Sequence, residues 1–483
     1  MKKIIAAIVL VILALAGWIL FNTFSAKSWP HTKAAPLPAL PDAAISHISQ
    51  AIRIPTVSPQ ETSKVDSASF YAYRAFLETA YPLVHKQMTR DTIERFSYVY
   101  TWKGSDTSLP PLVLMAHYDV VPVEPSSANR WTVKPFGGEI KNDTIWGRGA
   151  ADDKGSMIAI LESAEALLKQ GFTPHRTVLL CFGHNEESTG TGAIATVAWL
   201  KQKNIHPGLV IDEGGELSYE KEKDVPRPIA MIGVGEKGYV TFELSVEMTG
   251  GHSSRPERET AIDVLSRAIV KMREKFTPRR ILPETREYLT RIGASSGSLL
   301  EKTYVNNLWL FEGLVVYRMA QDKDGLAMVS TTIVPTILES GIRENVIPSN
   351  AKAIVNSRIL PGETPKDVED FIRKNIGDDR VKIRIAGDFA TDPSPTTDFH
   401  GEAFTKVSNA TAAILDDVIP VPFIMLGATD SRNYRTISNN VINFTPFIDT
   451  KGFHGIDERI AVKDLQRAIA FYQIILKDAV QNP

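Results

Sequence analysis

Short apolar runs that end in acidic residues or histidine recur in the first half of the chain. Runs of this length and composition are typical of buried β-strands. The residues that follow them are His117 and Asp119 after residues 110–116, Glu186 and Glu187 after 177–183, and Asp212 after 208–211. Open α/β sheets carry their sites at the carboxyl ends of the strands. The pattern therefore predicts an α/β fold with polar side chains gathered at one edge of a sheet.

A further pair of carboxylates precedes a predicted helix. Residues 146–155 form a glycine-rich loop that contains Asp152 and Asp153. From 156 to 170 the apolar residues recur with helical spacing, and Gly171 stands where a helix commonly ends. A carboxylate at this junction is either a helix cap or a rigidly held ligand, and the residues at the strand ends favour a ligand.

The same reasoning predicts elements outside this core. Helices are predicted at 66–79, 260–275, 365–376 and 461–479, and strands at 98–103, 240–248 and 381–385. The order of elements from 236 to 391 indicates a small α+β domain. This insert divides the main domain into residues 42–235 and 392–483. Within the insert, the apolar stretch 304–317 is either core packing or a wall for a bulky apolar group.

The N-terminus differs from the rest of the chain. Residues 4–24 are almost wholly apolar, and 21 helical residues extend ~31 Å, enough to cross the hydrocarbon core of a bilayer. Lys2 and Lys3 precede this segment, and a proline-rich tether at 26–41 follows it. The pattern predicts a membrane anchor within residues 1–25, with a cleaved signal segment as the alternative. Either interpretation places the globular body outside the cytoplasm.

The amino-acid composition limits the kinds of binding site that the chain can form. The net charge of −2 offers no basic surface for nucleic acid. The single cysteine, Cys181, excludes an internal disulfide and a cysteine metal cluster. With His454 near the C-terminus, the strand-end residues provide histidine and carboxylate ligands. Such a set suits a two-metal site with one bridging carboxylate, whereas a one-metal site needs only three ligands.

Seven motifs occur in a characteristic order: MAHYDVVP, WGRGAADDKG, GHNEES, IDEGG, GGHSSRP, GATDSRNY and FHGIDERI. Together they resemble the dinuclear zinc amidohydrolase family that includes aminoacylase, glutamate carboxypeptidase and succinyl-diaminopimelate desuccinylase. The nearest resemblance is to the carboxypeptidase S branch, which includes N-fatty-acyl-amino-acid hydrolases. The resemblance implies a catalytic domain with a mixed, largely parallel sheet flanked by helices, and an inserted α+β lid or dimerisation domain.

The resemblance also implies roles at the metal site. Two Zn²⁺ ions per subunit are expected, with Co²⁺ or Mn²⁺ as alternatives. The implied ligands are Asp152 bridging both metals, His117 and Asp212 on one metal, and Glu187 and His454 on the other. Asp119 is expected to orient His117, and Glu186 to act as the general base. The peptide bond between Asp152 and Asp153 is expected to be cis.

Three further residues are implied to face the substrate. His252 is expected to stabilise the oxyanion in the partner subunit of a homodimer formed through the insert. Asn345 and Arg432 are expected to hold the substrate carboxylate, since an arginine fork suits a carboxylate. For Arg432 the alternative is a surface or capping arginine.

These expectations lead to a metal-dependent hydrolase of amide bonds. It would be of carboxypeptidase type, releasing a C-terminal amino acid from small peptides or N-acyl amino acids. An aminoacylase or dipeptidase of the same family is the nearest alternative. A non-catalytic binding relative would be expected to lack Glu186 or a ligand, and a phosphatase would need more cations around the site.

Overall fold

A computed structural model describes residues 1–478, with the backbone alone at residues 62, 388 and 389. Its helices are α1 Lys2–Ser25, α2 Ala44–Arg53, α3 Ser67–Ala80, α4 Pro82–Gln87, α5 Lys154–Lys169, α6 Thr191–Gln202, α7 Ala261–Glu274, α8 Pro283–Ser295, α9 Leu299–Asn306, α10 Leu308–Met319, α11 Lys323–Val329, α12 Pro365–Ile376, α13 Glu402–Ile414, α14 Ser431–Tyr434 and α15 Val462–Asp478. Its strands are β1 Thr89–Ile93, β2 Ser97–Trp102, β3 Leu112–His117, β4 Glu139–Lys141, β5 Thr144–Trp146, β6 Val178–Gly183, β7 Leu209–Asp212, β8 Glu216–Ser218, β9 Ile229–Glu236, β10 Gly238–Glu247, β11 Gly251–His252, β12 Thr332–Ser340, β13 Val346–Ile347, β14 Asn350–Ile359, β15 Lys382–Thr391, β16 Ile419–Met425, β17 Val441–Asn443 and β18 Arg459–Ala461.

The larger sheet is mixed and partly parallel, which confirms the predicted α/β class. Its strands follow the order β1-β2-β6-β3-β7-β17-β9-β16, with β8 paired to β9. The apolar runs predicted as buried strands are β3, β6 and β7, and β3 lies parallel to both of the others. Because neighbouring parallel strands end at the same edge, the polar residues that follow them converge there.

Helix α5 is the main support beneath that edge. Most of its residues are buried, from Lys154 to Leu168. Apolar side chains of α2, α5, α15 and the sheet form one hydrophobic core. A helix that is apolar nearly all round needs packing on all sides, and this packing holds the preceding loop with Asp152 in place.

The smaller sheet has the order β12-β14-β10-β15 and is antiparallel. In β10 the side chains alternate between buried and less buried positions, as predicted from their spacing. Helices α7 and α12 cover the buried face with a core of their own. Helices α8 to α10, although inside the predicted insert, pack instead against β9 and β16 of the larger sheet. The boundaries 236–391 stay a prediction.

Helix termini follow local capping chemistry. The Asp66 side chain caps α3, and Thr260 and Asp263 form a capping box at the start of α7. Helix α12 begins and ends where predicted. Helix α15 begins at Val462, one residue after the predicted start, because Ala461 ends β18, and its expected end at 479 lies outside the described residues. Strand β15 runs beyond the predicted 385, because it pairs again with β10 after an irregularity between Val240 and Phe242.

The N-terminal helix α1 is long and apolar enough to cross a membrane. Its mean hydropathy is 3.0 over the most apolar window, and none of that window is buried. A signal sequence has the same properties. The stretch 304–317 divides between two environments, because Val305, Leu308 and Val315 join the core while Trp309 and Tyr317 are exposed.

Candidate metal centre and active site

Asp152 lies between two histidines at the edge of the larger sheet. Its Oδ1 is 2.9 Å from His117 Nε2, and its Oδ2 is 2.7 Å from His454 Nε2. His454 Nε2 also lies 3.0 Å from Glu187 Oε2. The peptide bond between Asp152 and Asp153 is cis, which confirms that expectation. One carboxylate thus offers each of its oxygens to a different ligand group.

The structure places Glu213, and not Asp212, against this cluster. Glu213 Oε1 lies 3.3 Å from His117 Nε2. The Asp212 carboxylate instead accepts hydrogen bonds from the Thr429 hydroxyl and the Ser431 amide, both at 2.9 Å. Successive side chains at the end of a strand point to opposite sides, so only one of the two neighbours can reach His117. Glu213 is therefore the neighbour that contacts His117 in the structure, and the ligand role expected at Asp212 stays a prediction.

Asp119 is buried and positions two parts of the site. Its backbone carbonyl lies 3.1 Å from His117 Nδ1, and its Oδ1 lies 3.4 Å from the same nitrogen. When Nδ1 carries the proton, Nε2 keeps its lone pair for a metal. The Asp119 carboxylate also accepts the backbone N–H groups of Glu186 at 3.2 Å and Glu187 at 3.1 Å. One side chain therefore fixes both a histidine and the turn that carries the two glutamates.

Glu458 holds the loop before α5 and was not assigned a role from the sequence. It is fully buried and accepts a hydrogen bond from Arg148 Nη1 at 2.7 Å. It also accepts the backbone N–H groups of Gly149, Ala151 and Asp152 at 2.9 to 3.1 Å. The acidic pair after His454 is the signal that could have indicated it, but the partner loop lies about 300 residues away in sequence.

Burial and mutual repulsion act on these carboxylates. Burial raises the pKa of Glu186 well above its ordinary range and that of Glu187 to about 7. Burial also raises the pKa of Asp430 to about 8. For Asp152, burial opposes ionisation, but hydrogen bonds from His117 and His454 outweigh it and lower the pKa. The site thus gathers buried carboxyl groups whose ionised form a bound cation would stabilise.

The donor set fits metal ions. Ligand atoms of His117, Asp152 and Glu187 all lie within 4.8 Å of one another, and those of His117, Asp153 and Glu213 do so as well. Among the described residues 1–478, Glu187 Oε1 is buried and has no hydrogen-bond partner. Imidazole and carboxylate ligands without thiolate suit zinc and similar divalent metals.

The predicted substrate-facing residues lie in two places. Arg432 follows Asp430 next to the metal cluster, and its Nη2 is 4.0 Å from where a Cβ at Gly190 would lie, in the loop after Glu187. His252 and Asn345 lie on the exposed two-stranded ribbon of β11 and β13, where the Ser253 amide donates to the Asn345 carbonyl at 3.2 Å. The structure therefore brings His252 and Asn345 close to each other, in and beside the separate two-stranded sheet of β11 and β13.

Comparison with known proteins agrees with this geometry. Residues 113–478 match peptidase family M20/M25/M40. The chain is 37% identical over 441 residues to probable carboxypeptidase S-like 2 of Dictyostelium discoideum, covering 89% of this chain and 84% of that protein. It is 34% identical over 439 residues to mouse (Mus musculus) N-fatty-acyl-amino acid synthase/hydrolase PM20D1, covering 89% and 86%.

A solved structure shares the fold. The M20 family metallo-carboxypeptidase Sso-CP2 from Sulfolobus solfataricus superposes with a TM-score of 0.66 at 19% identity, covering 90% of this chain and 99% of that one. The fold and site define a metallohydrolase with an edge-of-sheet metal centre. The chain belongs to peptidase family M20/M25/M40 and is a metal-dependent hydrolase of amide bonds.

Proposed function

We propose that this protein is a dinuclear zinc hydrolase of carboxypeptidase type, which releases a C-terminal amino acid from small peptides or N-acyl amino acids. The observation that carries the proposal is the Asp152 carboxylate, whose two oxygens face His117 and His454. The names of the relatives, carboxypeptidase S-like and N-fatty-acyl-amino acid synthase/hydrolase, support the substrate class.

The proposed ligands form two groups that share Asp152. His117 and Glu213 would complete one group, and Glu187 and His454 the other. Zinc would be the metal, with cobalt or manganese as alternatives that accept the same donors. Bound there, the metals would supply Lewis acidity, lowering the pKa of a water molecule and polarising the scissile carbonyl.

Glu186 is proposed to carry the proton. It is the neighbour of a proposed ligand, it is partly buried, and its backbone N–H is held by the Asp119 carboxylate. Its carboxylate would take a proton from the attacking water and pass it to the leaving amine nitrogen. Asp119 serves as a positioning residue, because it holds the tautomer of His117 and the Glu186 turn together.

Arg432 is proposed to bind the substrate carboxylate. It lies beside Asp430 and close to the loop that follows Glu187. A planar guanidinium can donate to both oxygens of a carboxylate, which would place the last amide bond of the substrate over the metals. We expect neutral, apolar N-acyl groups to be accepted on the other side of that amide bond.

The smaller sheet is proposed to form a homodimer. Among residues 1–478, its edge strand β12 pairs on one side only, and it exposes Val334, Ile337 and Leu338 by 44%, 49% and 64%. An exposed apolar edge of this kind is a template for pairing with a second chain. In the dimer, His252 and Asn345 of one subunit would reach the active site of the other, where His252 would stabilise the oxyanion.

Helix α1 is proposed to anchor the enzyme in a membrane, with the catalytic body outside the cytoplasm. Its length and composition support a membrane crossing, and Lys2 and Lys3 before it favour a cytoplasmic N-terminus. The full-length protein should then fractionate with membranes and resist a high-salt wash. A mature N-terminus near Ala26 would identify α1 as a cleaved signal segment instead.

The substrate class is tested with one N-acyl amino acid and its C-terminal amide under identical conditions. The free acid should be hydrolysed with a much higher kcat/KM, since the Arg432 guanidinium would form charge-assisted bidentate hydrogen bonds to its carboxylate but not to the amide. Arg432→Ala should raise KM for the acid and leave the amide nearly unchanged. Equal rates for both substrates, unaffected by Arg432→Ala, would remove the carboxypeptidase assignment.

A further inference from the structure

Helices α9 and α10 carry apolar side chains on an outward face. The exposed fractions of these side chains lie between 39% and 60%, and the residues are Leu299, Leu300, Trp309, Leu310, Leu314 and Tyr317. The spacing of positions 310, 314 and 317 places them on one side of α10. The inner sides of the same helices are packed into the core through Val305 and Val315. The two helices are therefore amphipathic, with an apolar side left uncovered within the described chain.

This outward face adjoins the end of α1. Asn307, which links α9 to α10, is fully buried. Its Nδ2 donates to the Ile19 carbonyl and the Thr23 hydroxyl, both at 3.2 Å. Its Oδ1 accepts from Asn22 Nδ2 at 3.0 Å. These bonds join the last turns of α1 to helices α9 and α10. They fix the position of α1 relative to these two helices.

The length of α1 determines how deep in the bilayer its contact with Asn307 would lie. About 20 helical residues are needed to cross the hydrocarbon core of a bilayer. Helix α1 has 24 residues, and residues 1–18 are all exposed. A crossing that starts after Lys2 and Lys3 must therefore use the turns around Ile19 and Thr23, the same turns that contact Asn307. The helices attached to these turns are then held at the surface of the bilayer.

We propose that the outward face of α9–α10 docks on the bilayer that α1 crosses. The inference rests on the proposed membrane anchoring by α1. Leu310 and Leu314 would enter the boundary between headgroups and acyl chains. Trp309 and Tyr317, amphipathic rings at the ends of the face, suit the headgroup level, and the neighbouring Arg318 can extend its charge to the water. The partner is thus a lipid surface, and docking would fix the orientation of the catalytic body relative to the membrane.

The cysteine content allows a direct test on the full-length protein. Cys181 is the single cysteine and is buried, so a cysteine introduced at an exposed position is labelled selectively. Leu310→Cys and Tyr317→Cys would each carry an environment-sensitive fluorophore. Leu13→Cys in α1 reports on the anchor, and Ile194→Cys, 52% exposed in the native chain on α6, is the matched control. Helix α6 packs near β1 and β2, at the opposite edge of the larger sheet from β16 and α8.

The labelled proteins are reconstituted into phosphatidylcholine vesicles with and without nitroxide-labelled lipid. The labels at 310 and 317 should shift their emission to the blue and lose fluorescence to the nitroxide lipid, as the label at 13 does. The label at 194 should keep a water-like emission and its full intensity. Quenching at 13 without quenching at 310 and 317 would overturn the docking proposal while leaving the anchor in place.

Two other outcomes also overturn the proposal. A blue shift at 310 that is insensitive to nitroxide lipid would mean that protein, such as a second copy of the chain, covers the face. Absence of quenching at 13 would show that α1 does not cross the membrane, and the docking proposal would fail together with the anchor.

Discussion

The metal cluster and the β11–β13 ribbon differ in how far one chain buries and contacts their polar side chains. In the cluster, His117 and Asp152 are 2% and 3% exposed, and their polar atoms face partners from four separate segments. In the ribbon, His252 and Asn345 are exposed. Both regions were indicated by equally clear motifs. The motifs therefore do not distinguish the buried cluster from the exposed ribbon, although within the cluster the His454 side chain is itself 49% exposed.

The difference has an energetic basis. Buried carboxylates are costly unless a cation or hydrogen bonds compensate them, so a cluster of this kind persists only where its surroundings are built for it. An exposed histidine such as His252 carries no such desolvation cost, so it needs no compensating group within its own chain. The four predictions below test this contrast, from the largest expected effect to the smallest.

Removal of metal should have the largest effect. Dialysis against a chelator should bring amide hydrolysis to background and lower the melting temperature, because the buried carboxylates lose their compensating charge. Added Zn²⁺ should restore both. Activity that survives complete demetallation, verified by elemental analysis, would contradict the metal centre.

Substitution of each of the two acidic neighbours at the end of β7 distinguishes the metal ligand from the residue that only supports the site. Glu213→Gln should reduce bound metal from two ions to one per chain and remove most of the activity. Asp212→Asn should keep both ions, because its carboxylate bonds to Thr429 and Ser431 instead. Elemental analysis measures the metal content of both variants. Loss of one ion from Asp212→Asn but not from Glu213→Gln would assign the ligand role to Asp212 instead.

Glu186→Gln should lower kcat by at least ~10²-fold without loss of metal, since the amide cannot accept the proton from water. The variant should melt at the temperature of the native protein. Glu139→Gln, a change at an exposed position of β4, is the matched control. Near-normal turnover in Glu186→Gln would place the proton transfer on another group.

The ribbon is tested by complementation between subunits. His252→Ala should lower kcat by ~10²-fold, the usual effect of losing one oxyanion donor. When this variant is mixed and reassembled with Glu186→Gln, about a quarter of the native activity should return, because half of the dimers are mixed and each has one complete site. If the mixture stays as inactive as its components, His252 does not act across a subunit interface.

Much of the fold was readable from local pattern. The buried runs became β3, β6 and β7 because they are apolar on both faces, as strands covered by helices must be. Capping residues such as Asp66 and Thr260 marked helix starts to within a residue. These features depend on neighbours in sequence, and sequence spacing records them directly.

Other features depended on packing between distant segments. The strand pattern could not tell which of Asp212 and Glu213 faces His117, because the orientation is set where β7 ends against its neighbours. Glu458 and the loop before α5 meet across about 300 residues, a pairing that no local spacing encodes. The apolar stretch 304–317 divides into a core side and an outward side only because α1 and β16 occupy particular places beside it. Apolar side chains in one stretch thus become core or outward-facing residues according to the segments that the fold places beside them.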